Sequence, residues 1–259
     1  MTDPPPVNWL LLRGLVRERG HWADFPERLV VHTGGVVLTL DLPGVGTERM
    51  RPAPMSIAAT VSDLRARFLT ARAPHESGAE WRIFAPSLGG MIALAWAEAH
   101  PSDFAAIAVC NTSARNLAGP FQRLLPAAIR TILRGLFTFE PLARERLVLA
   151  LVSNTEHGRA HAESFARLAT ASPIGRFVFL RQLFAASLAR APAALTLPLL
   201  VLCSEGDRLC SPGASRALAS RLGARLAVHP DAGHDLPLDD PDWVIDRLTE
   251  AGERGTTIR

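Results

Sequence analysis

Residues 81–91, WRIFAPSLGGM, combine an apolar run with a serine surrounded by small residues. The run WRIFA predicts a buried strand, and the residues from Leu88 onward predict a helix. A strand that turns sharply into a helix strains the backbone of the residue at the turn and exposes its side chain. The stretch therefore predicts an exposed Ser87 hydroxyl. Crowding at such a turn demands small neighbours, here Ala85, Gly89 and Gly90.

The alternation of strand and helix extends in both directions from this stretch. Apolar, β-rich runs predict strands at NWLLLR (8–13), VVLTLDL (36–42), WRIFA (81–85), FAAIAVC (104–110), LPLLVLC (197–203) and RLAVHP (225–230). Helical patterns fill intervals between them, and Ser211-Pro212 and Asp240-Pro241 each resemble an N-cap followed by proline. We therefore expect an α/β fold with a mostly parallel sheet of about six strands and helices on both faces.

Residues 114–196 interrupt this alternation, because they contain no β-type run and their apolar residues recur at helical spacing. We interpret them as an all-helical cap inserted into a core made of residues 1–113 and 197–259. A cap at this point lies over the carboxyl ends of the strands, where open α/β sheets bind ligands. Its apolar inner face favours a substrate with an apolar part. The alternative is a helical layer that merely covers the core.

Composition excludes several kinds of chemistry. The chain has neither lysine nor tyrosine, so Schiff bases, a P-loop, a Ser-Lys dyad and a tyrosine acid or base are ruled out. Its arginines are scattered along the sequence, so no nucleic-acid partner is expected, and no apolar run is long enough to span a membrane. The N-terminus does not resemble a signal peptide, and three cysteines without metal-ligand spacing indicate free thiols, so we expect a cytoplasmic protein.

Two further residues fall where they could activate Ser87. Asp207 comes directly after the strand LPLLVLC, and His234 lies in the loop after the last strand. Because the carboxyl ends of parallel strands meet at one edge of the sheet, we expect all three side chains at that edge. A serine nucleophile needs a general base, and the base needs an orienting carboxylate, so the order Ser, Asp, His predicts a catalytic triad.

The sequence resembles the α/β-hydrolase superfamily over nearly its whole length. The motifs that carry the resemblance are APSLGG (85–90), SEGDRLCSP (204–212), DAGHDLPLDDP (231–241) and LDLPGVG (40–46). The resemblance implies that Ser87 is the nucleophile, His234 the general base and then acid, and Asp207 the orienting carboxylate. Nearby rivals for Asp207 are Asp235, which we expect to point elsewhere, and Asp239 and Asp240, which better fit helix capping.

The resemblance also implies an oxyanion hole made of two backbone N–H groups. Leu88 would supply one, and the loop after the first strand would supply the other, from Leu15 or alternatively Gly14. This loop reads Arg13-Gly14-Leu15 where the superfamily usually has His-Gly. Arg13 or Arg17 could contact substrate, although structural ion pairs are the favoured interpretation. Two departures from the superfamily are Ala85 in place of the first motif glycine, read as a variant elbow, and the apparent lack of two opening strands.

These observations predict a serine hydrolase that cleaves a carboxylic ester or thioester through an acyl-enzyme, without cofactor or metal, as a monomer or homodimer. A lactonase or a hydrolase of carbon–carbon bonds would use the same triad, and a non-hydrolytic small-ligand receptor is the alternative from another class. His157 and His161 are spaced like metal ligands, but a solvated helix face is favoured. Cys210 lies near Asp207 but would need a base of its own to act as a nucleophile.

Overall fold

The computed structural model describes residues 6–75 and 78–253, and its centre is one sheet of six parallel strands. The ends of both predicted core ranges, residues 1–5 and 254–259, lie outside the described residues, as do 76–77. The spatial order of the strands is β2-β1-β3-β4-β5-β6. The strands are β1 (Val7–Leu12), β2 (Gly34–Leu40), β3 (Trp81–Pro86), β4 (Ala106–Cys110), β5 (Leu199–Ser204) and β6 (Arg225–His229). The predicted fold class is confirmed, and each predicted run forms a strand.

The helices fill the connections between the strands. They are α1 (Phe25–Thr33), α2 (Ile57–Arg72), α3 (Ser87–Ala99), α4 (Pro120–Arg123), α5 (Pro126–Leu136), α6 (Pro141–Val152), α7 (Glu156–Ala160), α8 (Ala162–Ala171), α9 (Arg176–Leu188), α10 (Pro212–Leu222), α11 (Leu236–Asp239) and α12 (Pro241–Glu253). Short 3₁₀ helices cover Arg19–Trp22, Gly46–Glu48, Ala73–His75 and Pro101–Asp103. No helix among the described residues is long and apolar enough to cross a membrane.

Two hydrophobic cores lie on the two faces of the sheet, because successive side chains of a strand point to opposite faces. In β1, Leu10 and Leu12 pack into the core with α2 and α3, whereas Trp9 and Leu11 pack into the core with α1 and α12. Two strands, β2 and β6, are not buried on both faces. Both are edge strands, and most of their residues are partly exposed.

The segment between residues 114 and 196, called the helical segment below, consists of α4–α9 and their connections. It has a small core of its own, in which Leu149, Val152 and Phe165 pack against Leu238 of α11. Several of its polar contacts reach loops at the carboxyl edge of the sheet. Asn154, for example, donates hydrogen bonds to the backbone oxygens of Gly206 and Asp231, both at 2.9 Å. Its role as a lid stays a prediction.

Candidate active site

Ser87 occupies a strained turn between β3 and α3. Its φ is +53°, a left-handed conformation that a non-glycine residue adopts only when its surroundings impose it. Space around the turn is limited: a Cβ built on Gly89 would lie 2.7 Å from the backbone oxygens of Leu12 and Arg13, and 3.3 Å from the Cβ of Ala85. The single methyl of Ala85 is fully buried here and fits because Gly89 opposite it has no side chain. The predicted strand-to-helix turn is therefore present with alanine at its first position.

His234 and Asp207 form a buried pair. The Nδ1 atom of the imidazole lies 2.7 Å from Oδ2 of Asp207, and the other carboxylate oxygen accepts hydrogen bonds from the N–H groups of Leu209 and Cys210. Burial by itself lowers the pKa of His234, but the negative charge and hydrogen bond of Asp207, aided by the charge of Asp235, raise it above its usual value of 6.5. Among the residues that the structure describes, no hydrogen bond involves the other ring nitrogen, Nε2.

One bridge between the segments that carry Ser87 and His234 is made by two neighbouring side chains. Directly after β4, the Asn111 amide donates to the backbone oxygen of His234 at 2.9 Å, and the neighbouring Thr112 hydroxyl donates to the backbone oxygen of Ser87 at 2.7 Å. Within the described residues no hydrogen bond joins the Ser87 hydroxyl itself to His234. Such contacts commonly tighten only when substrate binds.

A second bridge comes from the loop after β1. A Cβ built on Gly14 would lie 3.2 Å from the Cβ of Ser87, so this loop touches the serine. The preceding residue, Arg13, forms a bidentate ion pair with Asp235, which adjoins His234. The loop is thereby fixed to both the serine and the histidine loop.

The three rival carboxylates have other partners. Asp235 points to Arg13, as expected. Asp240 caps α12, because its side chain accepts the N–H of Trp243 at 3.0 Å. The expectation that Asp239 caps a helix is wrong. Its carboxylate accepts the N–H groups of Gly233 and Asn154 at 2.7 and 2.9 Å, and so joins the histidine loop to the helical segment.

The two residues predicted to form the oxyanion hole, Leu15 and Leu88, lie in segments next to Ser87. Leu88 lies in the first turn of α3, where an N–H has no partner within the helix. Leu15 lies in the loop after β1, and among the described residues its N–H makes no backbone hydrogen bond. The following residue, Val16, has a φ of +49°, which is unusual for a β-branched side chain. Its N–H donates at 2.9 Å to Oε1 of Gln182, a buried side chain on α9.

The arginines of this loop form ion pairs, as the favoured interpretation predicts. Arg13 pairs with Asp235, and Arg17 pairs with Glu145 of α6 at 2.6 Å. The loop that carries Leu15 is consequently attached to two helices of the helical segment, α6 and α9. A cavity bordered by Leu88 and Gln182 has a volume of about 10 Å³, room for about one water molecule.

The side chains of Asp207, Cys210 and His234 lie close enough together to hold a metal ion. Their chemistry does not suit one. The Nδ1 atom and the carboxylate are joined to each other, and the Cys210 thiol donates to the backbone oxygen of Arg123 at 3.0 Å. Burial raises the pKa of this thiol well above its usual value, which disfavours the thiolate needed for metal binding or nucleophilic attack. His157 and His161 contact each other edge to face at 5.4 Å, and His161 stacks on Phe165.

Sequence reasoning missed Asn111, Gln182 and the true contacts of Asp239. Asn111 directly follows a predicted strand, so the rule that located Asp207 could have found it. Gln182 carries no such signal, because its partner lies 166 residues away in sequence.

Comparisons with known proteins agree with this fold. A family model described as serine aminopeptidase, S33, matches residues 7–241. A putative non-heme bromoperoxidase from Mycobacterium tuberculosis superposes with a TM-score of 0.75 at 16% identity, covering 98% of this chain and 95% of that one. An enol-lactonase from Burkholderia xenovorans gives 0.73 at 20% identity, covering 98% and 94%. An esterase from Exiguobacterium antarcticum gives 0.76 at 15% identity, covering 96% and 92%. No curated protein matches the chain.

Proposed function

The chain belongs to the S33 serine aminopeptidase family of α/β-hydrolases. We propose that it hydrolyses a carboxylic ester or thioester through an acyl-enzyme on Ser87. His234 takes the proton of the Ser87 hydroxyl as the oxygen attacks the carbonyl carbon. The carbonyl oxygen becomes an oxyanion, held by the N–H groups of Leu15 and Leu88. His234 then protonates the leaving alcohol or thiol, and the acyl group stays on the serine.

The second half of the reaction uses the same groups. Water enters as the alcohol leaves, His234 removes its proton, and the resulting hydroxide attacks the acyl carbon. The tetrahedral intermediate collapses, the proton on His234 returns to Ser87, and the carboxylic acid is released. Asp207 keeps the imidazole in the tautomer that has a free nitrogen facing the serine, and stabilises the imidazolium form.

The buried contact between His234 and Asp207 at 2.7 Å, beside a serine at φ +53°, carries this proposal. A histidine loop needs no carboxylate partner to fold, and a serine needs no left-handed backbone. Both features raise free energy unless the rest of the fold compensates, and they occur together at functional sites.

An ester is favoured over a peptide with a free amino terminus. Recognising an ammonium group in a closed site requires a carboxylate that is free to pair with it. Around His234 the carboxylates of Asp207, Asp235 and Asp239 are each occupied by other groups. Lactones and carbon–carbon bonds remain candidate targets, since they need the same nucleophile and oxyanion hole.

The test is hydrolysis of p-nitrophenyl esters from acetate to laurate by the wild type, Ser87→Ala and Ser62→Ala. Ser62 is exposed on α2 and serves as the matched control. We expect Ser87→Ala to lose more than about 10⁴-fold in kcat and the control to keep its rate. Mass spectrometry after treatment with a fluorophosphonate should locate the adduct on Ser87. A folded wild type without ester turnover or adduct would contradict the proposal and direct attention to a non-hydrolytic receptor.

A cytoplasmic location is part of the proposal. It is supported by the three buried cysteines, all of which are free thiols, as expected in a reducing compartment. Assembly as a monomer or homodimer stays a prediction.

A further inference from the structure

Helix α9 has an apolar face that no other part of the described chain covers. Phe177, Leu180, Phe184 and Leu188 follow one another at helical spacing and are all exposed, with Phe177 at 82%. The opposite side of the helix carries the buried Gln182 and Ala185. A helix that is apolar on its outer side departs from the usual pattern of a surface helix, in which the outer side is polar.

A second helix face of the same character lies on α5. Leu133 and Phe137 are exposed there, and Phe139 follows at 73% exposure. One contact links the two faces: the guanidinium of Arg176 at the start of α9 lies 5.0 Å from the centre of the ring of Phe139, which follows α5. Together these residues form the α5/α9 face, defined as Leu133, Phe137, Phe139, Phe177, Leu180, Phe184 and Leu188.

Arginines without acidic partners surround the apolar residues of the α5/α9 face. Arg130 and Arg134 share the face of α5, and Arg176 and Arg181 that of α9; all four are exposed. No ion pair among the described residues includes them, whereas arginines of the core such as Arg65, Arg67 and Arg225 pair with acids.

Although arginines are scattered along the sequence, their acidic counterparts are not. The helical segment has eleven arginines against four glutamates, a charge of +7, and the rest of the chain has 17 arginines against 21 acids, a charge of −4. The opposite charges are therefore concentrated in different parts of the fold. The part that exposes aromatic and leucine side chains is the positive one.

We propose that the α5/α9 face docks onto a lipid bilayer whose surface carries anionic headgroups. Aromatic and leucine side chains beside arginines are the composition of helices that lie in a membrane interface, with the apolar groups inserted and the guanidinium groups at the phosphates. A second copy of this chain is a poorer occupant, because a two-fold interface would place one +7 segment against another.

Docking of this kind places the candidate active site at the lipid surface. Gln182, on the inner side of α9, holds the loop of Leu15 through the N–H of Val16, so the helix that meets the lipid also borders the oxyanion hole. The docking itself does not depend on the proposed function. It is measured by binding alone, and failure of either proposal leaves the other unaffected.

The experiment is co-sedimentation of the 259-residue chain with sucrose-loaded vesicles of phosphatidylcholine, with and without about 30% phosphatidylglycerol as the anionic lipid. Phe177→Ser/Phe184→Ser removes apolar groups of the α5/α9 face. The control is Val31→Ser/Met50→Ser, because Val31 and Met50 are 81% and 87% exposed and lie outside the helical segment. Arg130→Gln/Arg181→Gln removes two charges without touching the apolar groups. Circular dichroism melts establish that each variant is folded.

We expect the wild type to bind the anionic vesicles at least about tenfold more tightly than the neutral ones, and more weakly as salt rises. Both the phenylalanine and the arginine pairs should weaken binding by about tenfold or more, and the control pair should bind like the wild type. Absence of wild-type binding, equal binding to neutral vesicles, or an unaffected phenylalanine variant overturns the proposal.

Two alternative occupants have their own readouts. A wild-type dimer in light scattering that Phe177→Ser/Phe184→Ser converts to a monomer, without vesicle binding, would assign the face to a second copy. Binding to poly-glutamate as tight as to vesicles would assign it to an acidic protein. Either result overturns the lipid proposal.

Discussion

Replacing Gly89 by alanine is expected to impair catalysis by displacing an oxyanion donor. The new Cβ would lie 2.7 Å from two backbone oxygens, those of Leu12 and Arg13, whereas an ordinary contact is 3.4 Å or more. The start of α3 and the loop after β1 must therefore separate by about 0.7 Å. These two elements carry the N–H groups of Leu88 and Leu15, so their spacing around an oxyanion changes.

A displacement approaching 1 Å at a catalytic group costs up to about 10²-fold in rate, so we expect kcat to fall by about 10- to 100-fold. Alanine is a better helix former than glycine by about 1 kcal/mol. Helix propensity alone therefore predicts that Gly89→Ala stabilises the protein, whereas the close contacts of the new Cβ predict a loss. The matched control is Gly135→Ala in α5, where the nearest atom to the new Cβ is a leucine methyl at 3.8 Å. This control should gain stability and keep its rate.

The assay is steady-state hydrolysis of the best p-nitrophenyl ester, together with thermal melts of both variants. A melt within a few degrees of the wild type separates a catalytic defect from failure to fold. If Gly89→Ala kept kcat within about twofold while folded, the argument that Leu88 and Leu15 jointly bind the oxyanion would be refuted.

Further predictions concern the titration of two histidines and the support of the oxyanion loop. Since the pKa of His234 is raised above 6.5 and the base must be neutral, kcat/KM should fall as pH drops through a midpoint above 6.5. Asp207→Asn should lower that midpoint and reduce kcat by about 10³- to 10⁴-fold. An unmoved midpoint in this variant would contradict the assignment of Asp207. Gln182→Met leaves the Val16 N–H without its partner and should lower kcat about tenfold. Gln182→Glu should keep a higher kcat than Gln182→Met, because its side chain still offers an acceptor. Equal rates for the two variants would argue against this positioning role. Burial and the charges of neighbouring arginines hold the pKa of His21 well below 6.5. As pH drops below 6.5 the unfolded chain therefore takes up the proton first, and the melting temperature should fall. His21→Phe should flatten that dependence, and a wild-type melting temperature that stays constant to about pH 5 would contradict the prediction.

The four central strands β1, β3, β4 and β5 were predictable because parallel strands buried on both faces produce near-continuous apolar runs. The helix α1 was harder to see. Its sequence, FPERLVVHT, ends in residues that also favour strands, and β2 begins at the very next residue. Periodicity separates a helix from a strand poorly when no polar turn lies between them.

At the candidate site, chain order and strand ends predicted Ser87, Asp207 and His234 at one edge of the sheet. The contact between Arg13 and Asp235 joins residues 222 positions apart. Asp239 likewise contacts residues more than 80 positions away, so local capping rules misplaced it. Local patterns identify the edge of the sheet on which a side chain lies, and tertiary packing decides which neighbour it meets.

The carboxylate of Asp239 has a consequence for protein engineering. It accepts hydrogen bonds from the Asn154 N–H and the Thr155 hydroxyl in the helical segment. It also accepts one from the N–H of Gly233, next to His234. The helical segment between β4 and β5 therefore cannot be exchanged for that of a relative without regard to Asp239. A chimera that imports this stretch from a relative must also import hydrogen-bond donors for Asp239, or the loop that carries His234 loses this support.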